Sequence, residues 1–160
     1  MTLTLVRVDD RLIHGQVVLV WLPAIDADRI VIIDDATSQD EFMRTVLTLA
    51  APPGVPVEVH GLNSGVLRVA DLAAGPERVF VLLRSPITAL RMRKAGVEFE
   101  VLNVGGIGAR PGRRSLYRSI SASPEELAAL RELERLGTGV ELRVLPDDRP
   151  IPLGTIDRGA

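Results

Sequence analysis

Two runs of branched aliphatic residues, Arg29-Ile-Val-Ile-Ile-Asp34 and Arg78-Val-Phe-Val-Leu-Leu83, most constrain how this chain can fold. Neither alternates apolar with polar residues, so a strand built from either must be covered on both faces. Strands of that kind belong to sheets held between layers of helices. The chain supplies such helices by passing repeatedly from a short β-branched run to a longer amphipathic stretch, the βαβα order of a mostly parallel sheet. Strands are predicted over 2–8, 29–34, 55–60, 78–83, 97–104 and 140–145, with a short one over 117–120. Helices are predicted over 15–21, about 39–51, 63–74, 86–95 and 124–136. The last begins in a capping box, Ser123-Pro-Glu-Glu126, keeps Leu127, Leu130, Leu133 and Leu136 in helical spacing, and closes at Gly137. The fold class is therefore α/β: an open, mostly parallel sheet of about seven strands with helices on both faces.

At 160 residues the chain fits one domain, 1–160. From Pro146 the sequence is rich in proline and loses periodicity, so 146–160 is expected to be loose or packed on a partner. Hydrophobic residues make up 46% but aromatics only 3%, which suits a core of Val, Leu, Ile and Ala. A formal net charge of −2 gives no electrostatic case for nucleic acid or anionic lipid. There is no cysteine, hence neither a disulfide framework nor a thiolate metal site. No apolar run approaches the ~18–20 residues that cross a bilayer, and the first ten residues lack a basic n-region. A cytoplasmic location is expected.

In open α/β sheets, ligands bind beyond the carboxyl ends of the strands. The first strand ends in Val8-Asp9-Asp10-Arg11-Leu12-Ile13-His14-Gly15-Gln16, which places two carboxylates, a guanidinium and an imidazole just before a helix. A helix N-terminus favours an anion, and Arg11 can add a charge-assisted fork to it. A histidine of ordinary pKa, about 6.5, offers a neutral, nucleophilic imidazole at neutral pH. Gly15 leaves room beside the His14 imidazole for a bulky phosphoryl donor. A carboxylate such as Asp10 can orient Arg11, or accept one imidazole N–H so that the other nitrogen attacks. On residue types alone, a solvated turn with a capping histidine explains the segment equally well.

The segment Val6–Val17 closely resembles the active-site segment of the IIB components of the bacterial phosphoenolpyruvate-dependent sugar phosphotransferase system, mannose/fructose/sorbose family. The resemblance extends to Leu47–Gly54, to Asn103–Ile107 and to the serine-rich stretch before the last predicted helix. It implies that His14 is phosphorylated, receiving phosphate from a phosphohistidine on IIA and giving it to a sugar entering through the membrane IIC/IID permease. It further implies that Arg11 stabilises the phosphoryl group and that Asp10 supports the loop. Such a carrier needs no cofactor, nucleotide or metal, and the sequence lacks a Gly-x-x-x-x-Gly-Lys-Ser/Thr loop.

Other strand ends carry weaker signals. Gly15, Gln16, Ser85, Gly105 and Gly106 are candidates to line the phosphate. For Ser85, however, helix capping before Pro86 is an equally complete account. Gly105-Gly106-Ile-Gly108-Ala-Arg110 misses the dinucleotide fingerprint because Pro111 takes its last position. Asp34-Asp35 can hold a cation, orient an arginine or merely cap a turn. Arg110, Arg113 and Arg114 read either as a solvated loop or as a docking patch for an acidic surface of IIA. His60 has no counterpart in the resemblance and reads as structural or solvent-facing, and Trp21 as core or as part of a partner-facing rim. A receiver-type regulatory domain is set aside, because strand three ends in His60-Gly61 where its phosphoacceptor Asp belongs. A regulatory role for the same phosphorylated loop, without a sugar permease, stays open, as do the sugar and the oligomeric state, a homodimer included.

Overall fold

A computed structural model describes residues 3–156; Thr2, where the first predicted strand begins, and 157–160 lie outside them. Seven strands form one sheet in the order β3-β2-β4-β1-β5-β8-β9. They are β1 (Leu3–Asp9), β2 (Arg29–Ile33), β3 (Val57–His60), β4 (Val79–Leu83), β5 (Val101–Gly106), β8 (Gly139–Leu142) and β9 (Ile151–Pro152). All pair in parallel except β9, which runs antiparallel to β8. From β1 the chain crosses to β2 and β3, returns to β4 beside β1, then crosses to β5 on the other side. The carboxyl end of β1 thus sits where the winding reverses, the place at which α/β sheets open a crevice.

The helices are α1, a π-helical turn Val17–Trp21 running into an α-helical turn Leu22–Ile25; α2 (Asp35–Ser38); α3 (Glu41–Ala50); α4 (Leu62–Ala73); α5 (Pro86–Lys94); α6 (Pro124–Arg135); and α7 (Leu153–Ile156). Strand alternation sorts the core into two layers. Val6, Val8, Val31, Ile33, Val79, Val81 and Leu83 face α4, α5 and α6, while Ile30, Ile32, Phe80 and Leu82 face α1 and α3. The observed capping box of α6 has Ser123 Oγ accepting the Glu126 N–H and Glu126 Oε1 accepting the Ser123 N–H.

The sheet has the predicted number of strands, but one member differs. Residues 117–120 form the turn between β6 (Arg114–Tyr117) and β7 (Ile120–Ala122), a separate antiparallel hairpin whose Arg118 takes φ +46°. The seventh place in the sheet goes to β9, inside the stretch expected to be loose. Backbone pairing with β8 and the burial of Leu153 hold it there. Residues 97–100 precede β5 rather than extend it. Asp34 and Asp35 act as caps: Asp34 accepts the Thr37 N–H, and Asp35 accepts the Leu62 N–H at the start of α4.

On the α1 side, β1 and β5 depart from the apolar pattern. Arg7 and Asp9 are completely buried, and Asn103 is nearly so. They fit because β5 carries glycines opposite them. A Cβ on Gly105 would lie 1.8 Å from Arg7 Cζ, and one on Gly106 would lie 3.1 Å from Asp9 Oδ1. These glycines, expected to line a phosphate, instead make room for a buried guanidinium and its carboxylate.

At the opposite edge, β3 is protected by charge. Its Glu58 accepts from Arg29, Arg68 and His60, and His60 also meets Ser64, which bears out its structural reading. The Arg68 guanidinium, aided by His60 and Arg29 against partial burial, holds the Glu58 carboxyl at about 2, below its ordinary 4.5. The folded value is the lower one, so this contribution is complete above about 4.5 and is lost as pH falls toward 2. Glu58→Gln is expected to cost about 1 kcal/mol more at pH 7 than at pH 2, measured by urea unfolding at both. In the same assay Gly105→Ala should lose about 3 kcal/mol, because a methyl group would displace a buried charge, whereas Gly15→Ala should stay within about 0.5 kcal/mol.

Candidate functional site

The site is built outward from Arg7. Its Nη1 donates to Asn103 Oδ1 at 2.5 Å and to the Arg143 carbonyl at 2.9 Å. Its Nη2 donates to the Val144 carbonyl at 3.1 Å and to Asp9 Oδ2 at 3.4 Å. The guanidinium lies 4.4 Å from the centroid of the Trp21 ring, and Trp21 Nε1 donates to the Val144 carbonyl at 2.9 Å. Burial pulls the Arg7 pKa down to about 10 while Asp9 pulls it up, so the group stays cationic at neutral pH. Trp21 is therefore a core residue, bracketed by Arg7 and by the segment after β8. The π-helical turn that ends at Trp21 adds a residue to α1 just where the indole must reach this segment.

Asp9 receives what Arg7 prepares. Its Oδ1 accepts the Arg11 backbone N–H at 3.2 Å and lies 3.6 Å from Arg11 Nε. Its Oδ2 lies 2.8 Å from His14 Nε2. A carboxylate can only accept, so this contact assigns the imidazole proton to Nε2 and leaves a lone pair on Nδ1. The loop reaches this geometry by a sharp reversal. Leu12 is fully buried at φ +58°, a left-handed conformation unusual for leucine, and the Leu12 N–H bonds the Asp9 carbonyl. The His14 carbonyl then accepts the Val18 N–H, opening the helix. The amide N–H groups that open this helix, at Gly15–Val17, precede the first intrahelical hydrogen bond and so have no acceptor within it.

The carboxylate that meets the imidazole is thus Asp9, whereas Asp10 was expected to serve there or at Arg11. Asp10 Oδ2 instead accepts the Gly108 N–H at 2.7 Å, and its backbone N–H bonds the Gly106 carbonyl. It ties the His14 loop to the loop after β5. Arg11 has a side chain 57% exposed at the mouth of the site, beside His14 at 14%. Gly15 opens on free space, with nothing within 4 Å of where its Cβ would be. Gln16 stands at the helix start with a shielded Oε1 that has no donor among the described residues. Ser85 caps α5, accepting the Ile87 N–H at 3.1 Å.

The arginines of the 110–114 stretch separate. Arg110 and Arg114 are exposed, but Arg113 has a side chain only 13% exposed and serves the interior. It makes a two-pronged contact with Glu126, at 2.8 Å on both oxygens, donates to the Gly108 carbonyl at 2.8 Å, and lies 3.9 Å from Asp10 Oδ2. Burial pushes the Glu126 carboxyl up, yet Arg113 and Ser123 together hold it below its usual value. A docking role for Arg113 does not fit a guanidinium already engaged on all sides.

Arg7, Asp9, Asn103 and Trp21 are the residues that sequence reasoning passed over as site builders. Parity held a signal for two of them. Arg7 and Asp9 lie on one face of a strand whose neighbours are apolar on both faces, an anomaly that only a buried ion pair resolves. Asn103 and Trp21 gave none, because their contacts span 96 and 123 residues of chain.

The described residues hold no helix long and apolar enough to cross a membrane. The family model for the PTS system sorbose subfamily IIB component matches residues 3–156. Over 148 residues the chain is 43% identical to the sorbose-specific EIIB component of Klebsiella pneumoniae, covering 92% of this chain and 90% of that protein. It is 37% identical, with the same coverage, to the sorbose-specific EIIB component of Lacticaseibacillus casei. Among solved structures, the IIBSor domain of the sorbose permease from Klebsiella pneumoniae superimposes with a TM-score of 0.93 at 41% identity, over 100% of this chain and 99% of that one. A likeness of this extent runs through the His14 loop and the sheet beneath it. The chain belongs to the sorbose-subfamily IIB components of the sugar phosphotransferase system, which accept a phosphoryl group from IIA and pass it to a transported sugar.

Proposed function

We propose that His14 is the residue that carries the phosphoryl group, and that it does so on Nδ1. The 2.8 Å contact between Asp9 Oδ2 and His14 Nε2 carries this reading, since it assigns the proton to one nitrogen and the nucleophilic lone pair to the other. In the forward step Nδ1 attacks the phosphorus of a phosphohistidine on IIA. The new N–P bond forms as the donor's N–P bond breaks, and that electron pair returns to the donor imidazole. In the second step a sugar hydroxyl attacks the same phosphorus, gives up its proton to water, and Nδ1 leaves with its electron pair. Both transition states spread negative charge over the equatorial phosphoryl oxygens. Arg11 at the mouth and the first amide N–H groups of α1 are placed to stabilise that charge. Asp9 stabilises the imidazolium character that develops as Nδ1 takes up the phosphoryl group.

Asp10 acts at one remove, by fixing the loop after β5 against the His14 loop. The space beside Gly15 admits the incoming phosphohistidine. The partners are a phosphorylated IIA protein or domain and, on the cytoplasmic face of the membrane, the IIC/IID permease holding its sugar. The sorbose-specific relatives make a ketohexose the first sugar to test.

Mixed with phosphoenolpyruvate, the general phosphocarriers and a cognate IIA, the chain should take up one equivalent of acid-labile, base-stable phosphate. His14→Ala should take up none, and retention of the equivalent would refute the assignment. Arg11→Ala should keep the fold and slow transfer by about 10²-fold, followed by rapid-quench labelling. Asp9→Asn should shift the neutral imidazole of His14 away from the Nε2–H tautomer. Long-range ¹H–¹⁵N spectra distinguish the two tautomers, and an unchanged pattern would remove Asp9 from the mechanism.

A further inference from the structure

Among the described residues, seven arginines are at least partly shielded from solvent, and six of them have partners. Arg7, Arg29, Arg68 and Arg113 meet carboxylates, while Arg93 and Arg143 meet backbone carbonyls. The seventh is Arg84. Its Nε is shielded from solvent and has no acceptor, and no other hydrogen bond or ion pair engages the side chain among the described residues.

Its position is specific. Arg84 is the first residue beyond β4, which lies between β2 and β1. Leu83 pairs with Val8 on one side and Ile33 on the other, so one step further sets Arg84 between Asp9 and Asp34 at the carboxyl edge of the sheet. By strand parity it falls on the face of Phe80 and Leu82, which pack with Leu12, Ile13 and Val17 of the His14 loop and α1. Neither neighbouring carboxylate neutralises it. Asp9 is taken by Arg7, Arg11 and His14, and Asp34 Oδ2 by the Thr37 backbone and hydroxyl.

A guanidinium that has lost part of its hydration without gaining an acceptor destabilises the unliganded protein. The penalty is relieved when an anion arrives. We infer that Arg84 is a second phosphoryl-binding arginine, donating from the β4 side to the phosphoryl group on His14 while Arg11 acts from the open side. The planar fork of Nε–H and Nη–H matches two phosphoryl oxygens, which a lysine at this position would not. This rests on the assignment of His14 as the phosphoryl carrier.

Transfer from phosphorylated IIA is to be timed for the wild type, Arg84→Ala, Arg84→Lys and His14→Ala. In parallel, ³¹P spectra of each isolated phosphoprotein and the thermal midpoint of each unphosphorylated protein are to be recorded. Arg84→Ala is expected to slow transfer at least about tenfold and to move the ³¹P resonance, without lowering the thermal midpoint. Arg84→Lys should recover part of the rate. An Arg84→Ala protein with wild-type rate and unmoved resonance overturns the inference. Slower transfer with an unmoved resonance also overturns it, by assigning Arg84 to contact with IIA, as does a lowered thermal midpoint, which marks a structural residue. Phosphate uptake that survives His14→Ala defeats the underlying assignment instead, and is read before Arg84 is considered.

Discussion

The buried pair of Arg7 and Asp9 is the interaction on which the site depends. Removing two charges from water costs several kcal/mol per ion, and their attraction recovers it only when the remaining donors and lone pairs are satisfied. Here they are satisfied from far along the chain. Asn103 and the carbonyls of Arg143 and Val144 complete Arg7, and the Arg11 N–H and His14 complete Asp9. Only Arg7 Nε is left without an acceptor. An apolar pair of the same volume would serve the core as well. What the ions add is a carboxylate whose position is set by the sheet and whose Oδ2, shared with Arg7, addresses one nitrogen of one imidazole.

A catalytic loop gains precision when rigid elements determine it. The His14 loop is only a few residues long and is held from three directions. Leu12 plugs the core in a left-handed conformation that the surrounding packing must impose, since leucine does not choose it. Asp10 binds the loop after β5, and through Arg113 and Glu126 that loop is joined to the capping box of α6. On the far side Trp21 locks α1 against the segment that follows β8. The imidazole is thus preorganised, and only the side chain of Arg11 stands well into solvent.

This division suits a carrier. The phosphoryl group must be bound firmly enough to survive between partners and loosely enough to leave. With His14 as the proposed nucleophile, an imidazole fixed by buried charge and a guanidinium standing at the rim leave the leaving path open. On the proposed reading, transfer between two histidines is close to symmetric in chemistry, so the protein gains most by positioning and charge complementarity.

The sequence by itself determined the fold class, the layering and the loop that matters. Doubly buried strands, the capping box of α6 and the Asp9–Gln16 segment are local signals, each written within a few consecutive residues. It also offered His14 and Arg11 as candidates, through a motif of eight residues whose likeness to the family is local. Which carboxylate meets the imidazole was not legible, since Asp9 and Asp10 are adjacent and chemically identical. The pleat of β1 decides between them by turning Asp9 inward and Asp10 toward Gly108. Nor could Gly105 and Gly106 be told from a phosphate cradle, since their partners lie on β1, about a hundred residues earlier. Arg113 read as a solvated loop or docking residue and is interior, and the stretch from Pro146, read as loose or packed on a partner, supplies a strand. Some of these deciding contacts are distant in the chain, as between Gly105 and Arg7, and others are near, as between Asp9 and His14 or Arg113 and Glu126, but in each case the path of the folded backbone, which no local signal specifies, brings the groups together.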